Sequence, residues 1–245
     1  MSKSGTFALN GICAEDYGII LTAPPSDVFA ERDVETISVP GRSGDLIVDN
    51  GRYQNAQIVY SCAVIPKPAV SMREAATTAV SYLRQFSGYV RLTDTFHPDY
   101  FFLAAATKAV TVESIVERAG IFTMTLGRKP QRFLASGETA LSFSAAGTLT
   151  NPTQFPAQPL IQATGSGAGT VTVGNAVIRI DAMTDSIFFD CETMNAYSLD
   201  GEGIPQNRNG DIYAPEFPVL LPGSNPVSWS GGITGVKITP RWWTL

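Results

Sequence analysis

The sequence predicts a mainly β protein of two domains with a single well-defined helix. Three observations carry this. Short apolar segments with two-residue alternation recur along almost the whole chain, separated by turn residues. Only one stretch has helical periodicity between proper start and stop signals. The texture and charge of the chain also change near its middle.

The helix is "SMREAATTAVSYLRQFSG". Ser71 and Glu74 form an S-x-x-E capping box, in which each side chain satisfies a free backbone N–H at the helix start. Met72, Ala75, Ala76, Ala79, Val80, Leu83 and Phe86 recur at three- and four-residue steps and make one apolar face. Gly88 is placed to act as the left-handed residue just past the helix, which should run over about 71–87. Ahead of it, Pro66 and Pro68 close off a strand, "QNAQIVYSCAVI". Both alternating sets of that strand are largely apolar, so burial on both faces is expected. "YVRLTD", "YFFLAAA", "KAVTVESIVE" and "GIFTMTLGR" read as further strands, the last two joined by a turn at Arg118-Ala119-Gly120.

After "RKPQRF" the segment 134–159 is rich in small residues, Thr and Pro, and reads as a junction. Beyond it come "PLIQATG", "GTVTVG", "AVIRID", "SIFFDCE", "NAYSL", "NPVSWSG" and "ITGVKITPRWWTL", punctuated by turns at Gly174-Asn175 and Asn209-Gly210. That is the pattern of an antiparallel sandwich. The domains expected are 1–136 and 137–245. Up to Ser136 there are 13 basic and 13 acidic residues; from Gly137 onward there are 4 and 9, so the net charge of −5 lies wholly in the second half.

Composition narrows the function. A net charge of −5 gives no general reason to expect nucleic-acid binding. Cys13, Cys62 and Cys191 are few, odd in number and far apart, which fits reduced thiols rather than a disulfide framework or a zinc site. The opening "MSKSGTFALNG" lacks the apolar core of a secretory signal, and no apolar run approaches membrane-spanning length; the chain is expected to fold in a cytoplasm without membrane insertion. His97 is the only histidine, so a nucleophile–histidine site has one possible base, and it stands in "DTFHPDY", just ahead of a proline between two strands. "GRSGD" lacks the Lys-Ser/Thr and following helix of a phosphate loop. Asp181, Asp185 and Asp190 flank two strands and read as solvated turn residues, with a calcium site as the alternative reading; Asp200 and Glu202 in "DGEG" read the same way, their spacing supplying too few oxygens for a cation site. No catalytic residue, metal site or cofactor is therefore expected. Trp229 and Trp243 remain candidates for ligand or partner contact, whereas Trp242, in step with Ile238 and Pro240, should pack inward.

"VPGRSGDLIVDNGRY", from Val39 to Tyr53, packs several turn signals around an apolar island. Gly and Asn permit positive φ at its turns. An exposed Leu-Ile-Val run calls for a cover, whether from this chain or from another.

Several stretches together resemble the distal tail protein family, Dit, of long non-contractile-tailed bacteriophages and prophages. They are "SVPGRSGDLIVDNGRYQNAQIVYSCAVI", the capped helix, "NPTQFPAQPLI", "FPVLLPGSNPVSWSGGIT" and "VKITPRWWTL", in the family's order over nearly the whole chain. The resemblance implies an N-terminal tail-tube-like β-sandwich with one flanking α-helix and a C-terminal galectin-like antiparallel β-sandwich. It implies a structural hub in which six N-terminal domains form a ring below the tail tube. The ring would join the major tail tube protein to the tail-associated lysin or tip protein and to the receptor-binding or baseplate components, with DNA passing through the lumen. Location in the virion's distal tail follows. In that setting Pro40, Gly41, Arg42, Ser43, Gly44, Asp45, Leu46, Ile47, Val48, Asp49, Asn50, Gly51 and Arg52 would form a hairpin lapping a neighbouring subunit. Leu46, Ile47 and Val48 would be buried there, and Arg42, Asp45, Asp49 and Arg52 would set polar register. The reading of a different class is a carbohydrate-binding adhesion protein using the galectin-like half.

Overall fold

A computed structural model of the chain describes residues 5–106, 113–116 and 119–245, with only the backbone described over 113–116. The chain divides into two compact units, Met1–Arg132 with Leu245, and Phe133–Thr244.

The first unit holds strands β1 (Phe7–Leu9), β2 (Ile12–Cys13), β3 (Ile19–Leu21), β4 (Ser26–Asp27), β5 (Arg32–Ile37), β6 (Leu46–Tyr53) and β7 (Ala56–Val64), then helix α1 (Met72–Arg84), then β8 (Val90–Asp94), β9 (Tyr100–Ala105), β10 (Glu113–Val116) and β11 (Ala119–Leu134). Its main sheet is antiparallel in the order β2-β1-β8-β9-β11-β7-β3. The sheet curls until Gly5, just ahead of β1, bridges Leu21 of β3. A Cβ at Gly5 would lie 2.4 Å from the Phe96 ring, so any side chain there requires that ring to shift. Ile58, Tyr60, Cys62 and Val64 of β7 face a core shared with Leu92, Phe102, Phe122, Met124 and Leu126.

α1 covers this core with Ala75, Ala79, Tyr82 and Leu83. The expected capping box is present: Ser71 Oγ accepts from the Glu74 N–H, and the Glu74 carboxylate accepts from the Ser71 N–H. Tyr82, absent from the expected apolar face, is buried because both its polar needs are met. Its hydroxyl accepts from Leu9 N (3.1 Å) and donates to Ile12 O (2.8 Å). The helix stops at Arg84, three residues short of the expected end, and Gln85 caps it in a right-handed conformation. Gly88, at φ +87°, lies beyond that cap and turns the chain into β8 instead.

β7 differs from expectation on its outer face. Gln57 and Ser61 are exposed and Val59 only half-buried, because α1 and the core lie on the other side of the sheet. The strand is one-sided, with Ala63 the only outward residue that its neighbours bury. Of the segment expected as a strand over 108–117, Glu113–Val116 pairs with β11; the rest, and Arg118 of the expected turn, lie outside the described residues.

The second unit contains β12 (Leu141–Phe143), β13 (Gly147–Asn151), β14 (Leu160–Val173), β15 (Ala176–Ile180), β16 (Thr184–Asp190), β17 (Asn195–Leu199), β18 (Pro205–Asn207), β19 (Ile212–Tyr213), β20 (Gly223–Thr239) and β21 (Trp243–Thr244). β14 and β20 pair along their lengths and serve both layers of a sandwich. Their paired ends near Ile161 and Ile238 join β12 and β16, and their other ends join β13 and β15. The core between the layers includes Ile161, Val171, Ile178, Phe189, Val227 and Ile238. Gly174-Asn175 makes the two-residue turn between β14 and β15, with φ +60° at Gly174, as a type II′ hairpin requires. Asn209-Gly210 opens a 3₁₀ turn, Asn209–Asp211.

Candidate functional site

The feature that the first unit's own core does not absorb is the β5–β6 hairpin, a separate two-stranded sheet. It begins at Arg32, seven residues earlier than the motif that drew attention to it. Val39-Pro40-Gly41-Arg42 closes with Arg42 N donating to Val39 O (3.1 Å) and Gly41 at φ +78°, the geometry of a type II turn with Pro and Gly in their preferred places. "DNGRY" lies on β6, where the ladder is irregular. The pairing jumps from Val34–Asp49 to Arg32–Tyr53, so Asn50, Gly51 and Arg52 form a bulge, with Gly51 at φ +71° and its N–H on Asp49 Oδ1 (2.8 Å).

Glu35 opposes Val48, and Ile37 opposes Leu46; Val34 opposes Asp49, and Thr36 opposes Ile47. Directly opposed residues share a face. One face therefore carries Ile37, Leu46 and Val48, the other Val34 and Ile47. None is covered: Leu46 is 44% and Ile47 65% exposed. The expected polar residues split. Asp49 pairs with Arg32 and Arg52 with Asp33 (2.5 Å), within the arm itself. The Asp33 carboxyl is held below its usual range by its hydrogen bond from Arg52. That of Asp49 is held low by the Gly51 N–H and then by Arg32. Ser43 and Gly44 lie in the loop, and Arg42 and Asp45 at the tip have no ion-pair partner among the described residues.

The arm's root is built differently. Arg128 lies at the inward period of β11, after Phe122, Met124 and Leu126, with its side chain fully buried. Its guanidinium donates to Asp27 Oδ1 (2.8 and 3.1 Å) and to the carbonyls of Val28, Lys129 and Pro130. Arg132 meets the other Asp27 oxygen at 2.5 Å and lies over the Phe29 ring. Sequence reasoning missed this clamp. The signal was there: a charged residue on the core-facing period of a strand needs a buried partner.

The remaining candidates have structural surroundings. Asp94 accepts from Tyr60 Oη (2.5 Å) and from the backbone N–H groups of Phe96 and His97, with the His97 ring at 3.0 Å. Asp190 binds Arg241 (2.7 Å), Asp181 binds Arg179, and Asp200 accepts the N–H groups of Glu202 and Ile204. Among the described residues no group of three or more possible ligands could hold a metal ion. Cys62 and Cys191 are buried free thiols, each pushed up to about 12 by burial; Cys13 is also free. Trp242 packs in the second core, as its spacing suggested. Trp243 stacks on Phe155 (4.6 Å) and donates its indole N–H to Pro156 O (2.8 Å), while Trp229 is half-buried against the core.

No protein-family model and no curated protein matches the sequence. Among solved structures, the chain is similar to SPP1 Dit (gp 19.1), a paradigm of the hub adsorption apparatus in phages infecting Gram-positive bacteria. The similarity covers 99% of this chain and 100% of that one, with a TM-score of 0.74 at 11% identity. The chain has the Dit fold. At that identity the likeness is a statement about architecture, and it extends over nearly the whole of both chains.

Proposed function

We propose that this protein is a structural hub of a long non-contractile phage tail. In this reading six copies form a ring through the first unit, below the tail tube and above the tip or lysin protein and the receptor-binding components, and DNA passes through the lumen. The second unit is its galectin-like sandwich, and the protein resides in the virion's distal tail. The role is non-enzymatic, so purified protein should not hydrolyse peptidoglycan or polysaccharide. The observation that carries the reading is the end-to-end Dit fold.

The arm is the proposed subunit contact. Its apolar residues find no place in the core of their own unit, and each of Leu46, Ile47 and Val48 is worth about 1.5–3 kcal/mol if fully buried by a neighbour. In the proposed ring the arm of each subunit meets a different surface of the next, a head-to-tail contact that closes when the rotation allows. Negative-stain images and light scattering of the purified protein over a concentration series test this. Ring-shaped particles are expected at high concentration; a monomer at every concentration would overturn it.

A further inference from the structure

In the second unit a groove of about 250 Å³ lies between the Gly174-Asn175 turn and the segment 216–226. We infer that this groove docks a polypeptide segment presenting an apolar side chain beside a basic residue. The inference stands on the second unit's geometry alone and holds whether or not the chain forms a ring.

The first observation is a rigid apolar wall. Leu220 and Ala157 exchange both backbone hydrogen bonds (3.0 and 2.8 Å), which turns the Leu220 side chain into the core, where it is fully buried. Strand geometry then sends its neighbours outward, and Val219 and Leu221 are 37% and 51% exposed. Two buried asparagines hold this segment in place. Asn225 accepts from Leu221 N (2.9 Å) and donates to Leu221 O (2.8 Å) and Gly223 O (2.9 Å). Asn151 donates to Leu220 O (3.0 Å) and Phe155 O (2.9 Å). Pro215, Pro218, Pro222 and Pro226 fix φ along the same stretch. An exposed apolar pair held this firmly forfeits little entropy when a partner covers it.

The second observation is charge. Glu216 is the one charged residue lining the groove; it is exposed and has no ion-pair partner among the described residues. It sits in the half of the chain that carries the acidic surplus. A basic residue on the partner satisfies Glu216 while its apolar neighbour covers Val219 and Leu221. A polyanion meets repulsion there. A glycan would need an open aromatic face, whereas Phe217, the aromatic residue of the lining, is half-buried against the core.

The probe is a library of displayed random dodecapeptides selected against the immobilised full chain. Enrichment of peptides with Lys or Arg next to Leu, Ile, Met or Phe is expected. A synthetic selected peptide should bind Leu221→Asp at least about tenfold more weakly, and Glu216→Lys should invert the charge preference of a second selection. Thermal melts equal to the parent's confirm that both variants are folded. Should Leu221→Asp fail that control, the exposed Glu216→Lys still decides the matter. Absence of enrichment over a Leu221→Asp bait, selection of acidic peptides by the parent, or equal binding to parent and Glu216→Lys each overturns the inference.

Discussion

The arm and helix α1 both carry apolar residues on short elements of the first unit, and they put them to opposite use. α1 turns Ala75, Ala79, Tyr82 and Leu83 into its own core and leaves its charged residues outside. The arm keeps its shape through its backbone pairing and the Arg32–Asp49 and Arg52–Asp33 pairs, while the five large apolar side chains of its paired positions, Val34, Ile37, Leu46, Ile47 and Val48, remain exposed on two faces. Apolar content alone therefore does not say where a core lies. What separates the two elements is periodicity: the helix concentrates its apolar residues on one face, whereas the consecutive Leu46-Ile47-Val48 run of a strand must divide between two.

The largest effect that would sharpen this contrast is on assembly. Leu46→Asp with Val48→Asp should yield a folded protein that no longer forms the proposed rings in negative-stain images. Its melting temperature, at a concentration where the parent is dissociated, should match the parent's. Rings in the double mutant would remove the arm from the contact. Failure to fold would place the triad in the chain's own core.

Next is the root. Arg128→Met leaves Asp27 facing only Arg132 at a buried site, and a loss of about 3–5 kcal/mol in urea unfolding is expected. A loss under about 1 kcal/mol would mean that Arg132 alone satisfies Asp27. Third is the core comparison itself. Leu83→Ala in α1 should cost about 2–5 kcal/mol. Leu46→Ala, measured on dissociated protein, should stay within about 0.5 kcal/mol. Near-equal costs would break the contrast. Ser71→Ala should cost about 1 kcal/mol through the lost cap.

What the sequence made legible follows from the range of the forces involved. The Ser71–Glu74 cap and the Pro40-Gly41 turn depend on neighbours in sequence, and they are found as read, whereas β7, expected to be buried on both faces, is buried on the Ile58, Tyr60, Cys62 and Val64 face alone apart from Ala63. The long strands were not legible. Glycines at 165–169 and 231–232 look like turns, yet β14 and β20 run through them. Gly165, Gly169, Gly231 and Gly232 are there because the two backbones cross closely: a Cβ at Gly232 would sit 1.8 Å from Ser166 O, and one at Gly165 would sit 2.1 Å from Gly232 O. Only the paired strand reveals that. The arm's first strand was missed for a related reason. "RDVETI" is polar, and its strand character comes from pairing with β6 rather than from a core face. For the candidate site, the motif marked the exposed triad, whereas the Asp27–Arg128 clamp joins residues about a hundred positions apart.

The smallest effect concerns acid. Asp33 and Asp49 are both held below the usual carboxylate range in the folded arm. A carboxylate with a lowered folded pKa contributes its stability above the unfolded value, about 3.9, and loses it as pH falls through the folded value. At neutral pH both arm pairs are therefore intact, and only below about pH 4 should they open. Because the arm packs on no core of its own, that opening should loosen the arm without unfolding the protein. Side-chain carboxyl shifts followed by NMR on dissociated protein should show Asp33 and Asp49 titrating below the ordinary value. Arm amides near Val34 and Val48 should respond in the same window while Leu92 and Phe122 amides stay still. Titration at the ordinary value would mean that the two pairs do not hold the arm in solution, leaving backbone pairing alone to fix its register. Movement of the core amides in step with the arm would join the arm to the cooperative unit that α1 helps to close, and would erase the difference between the two elements.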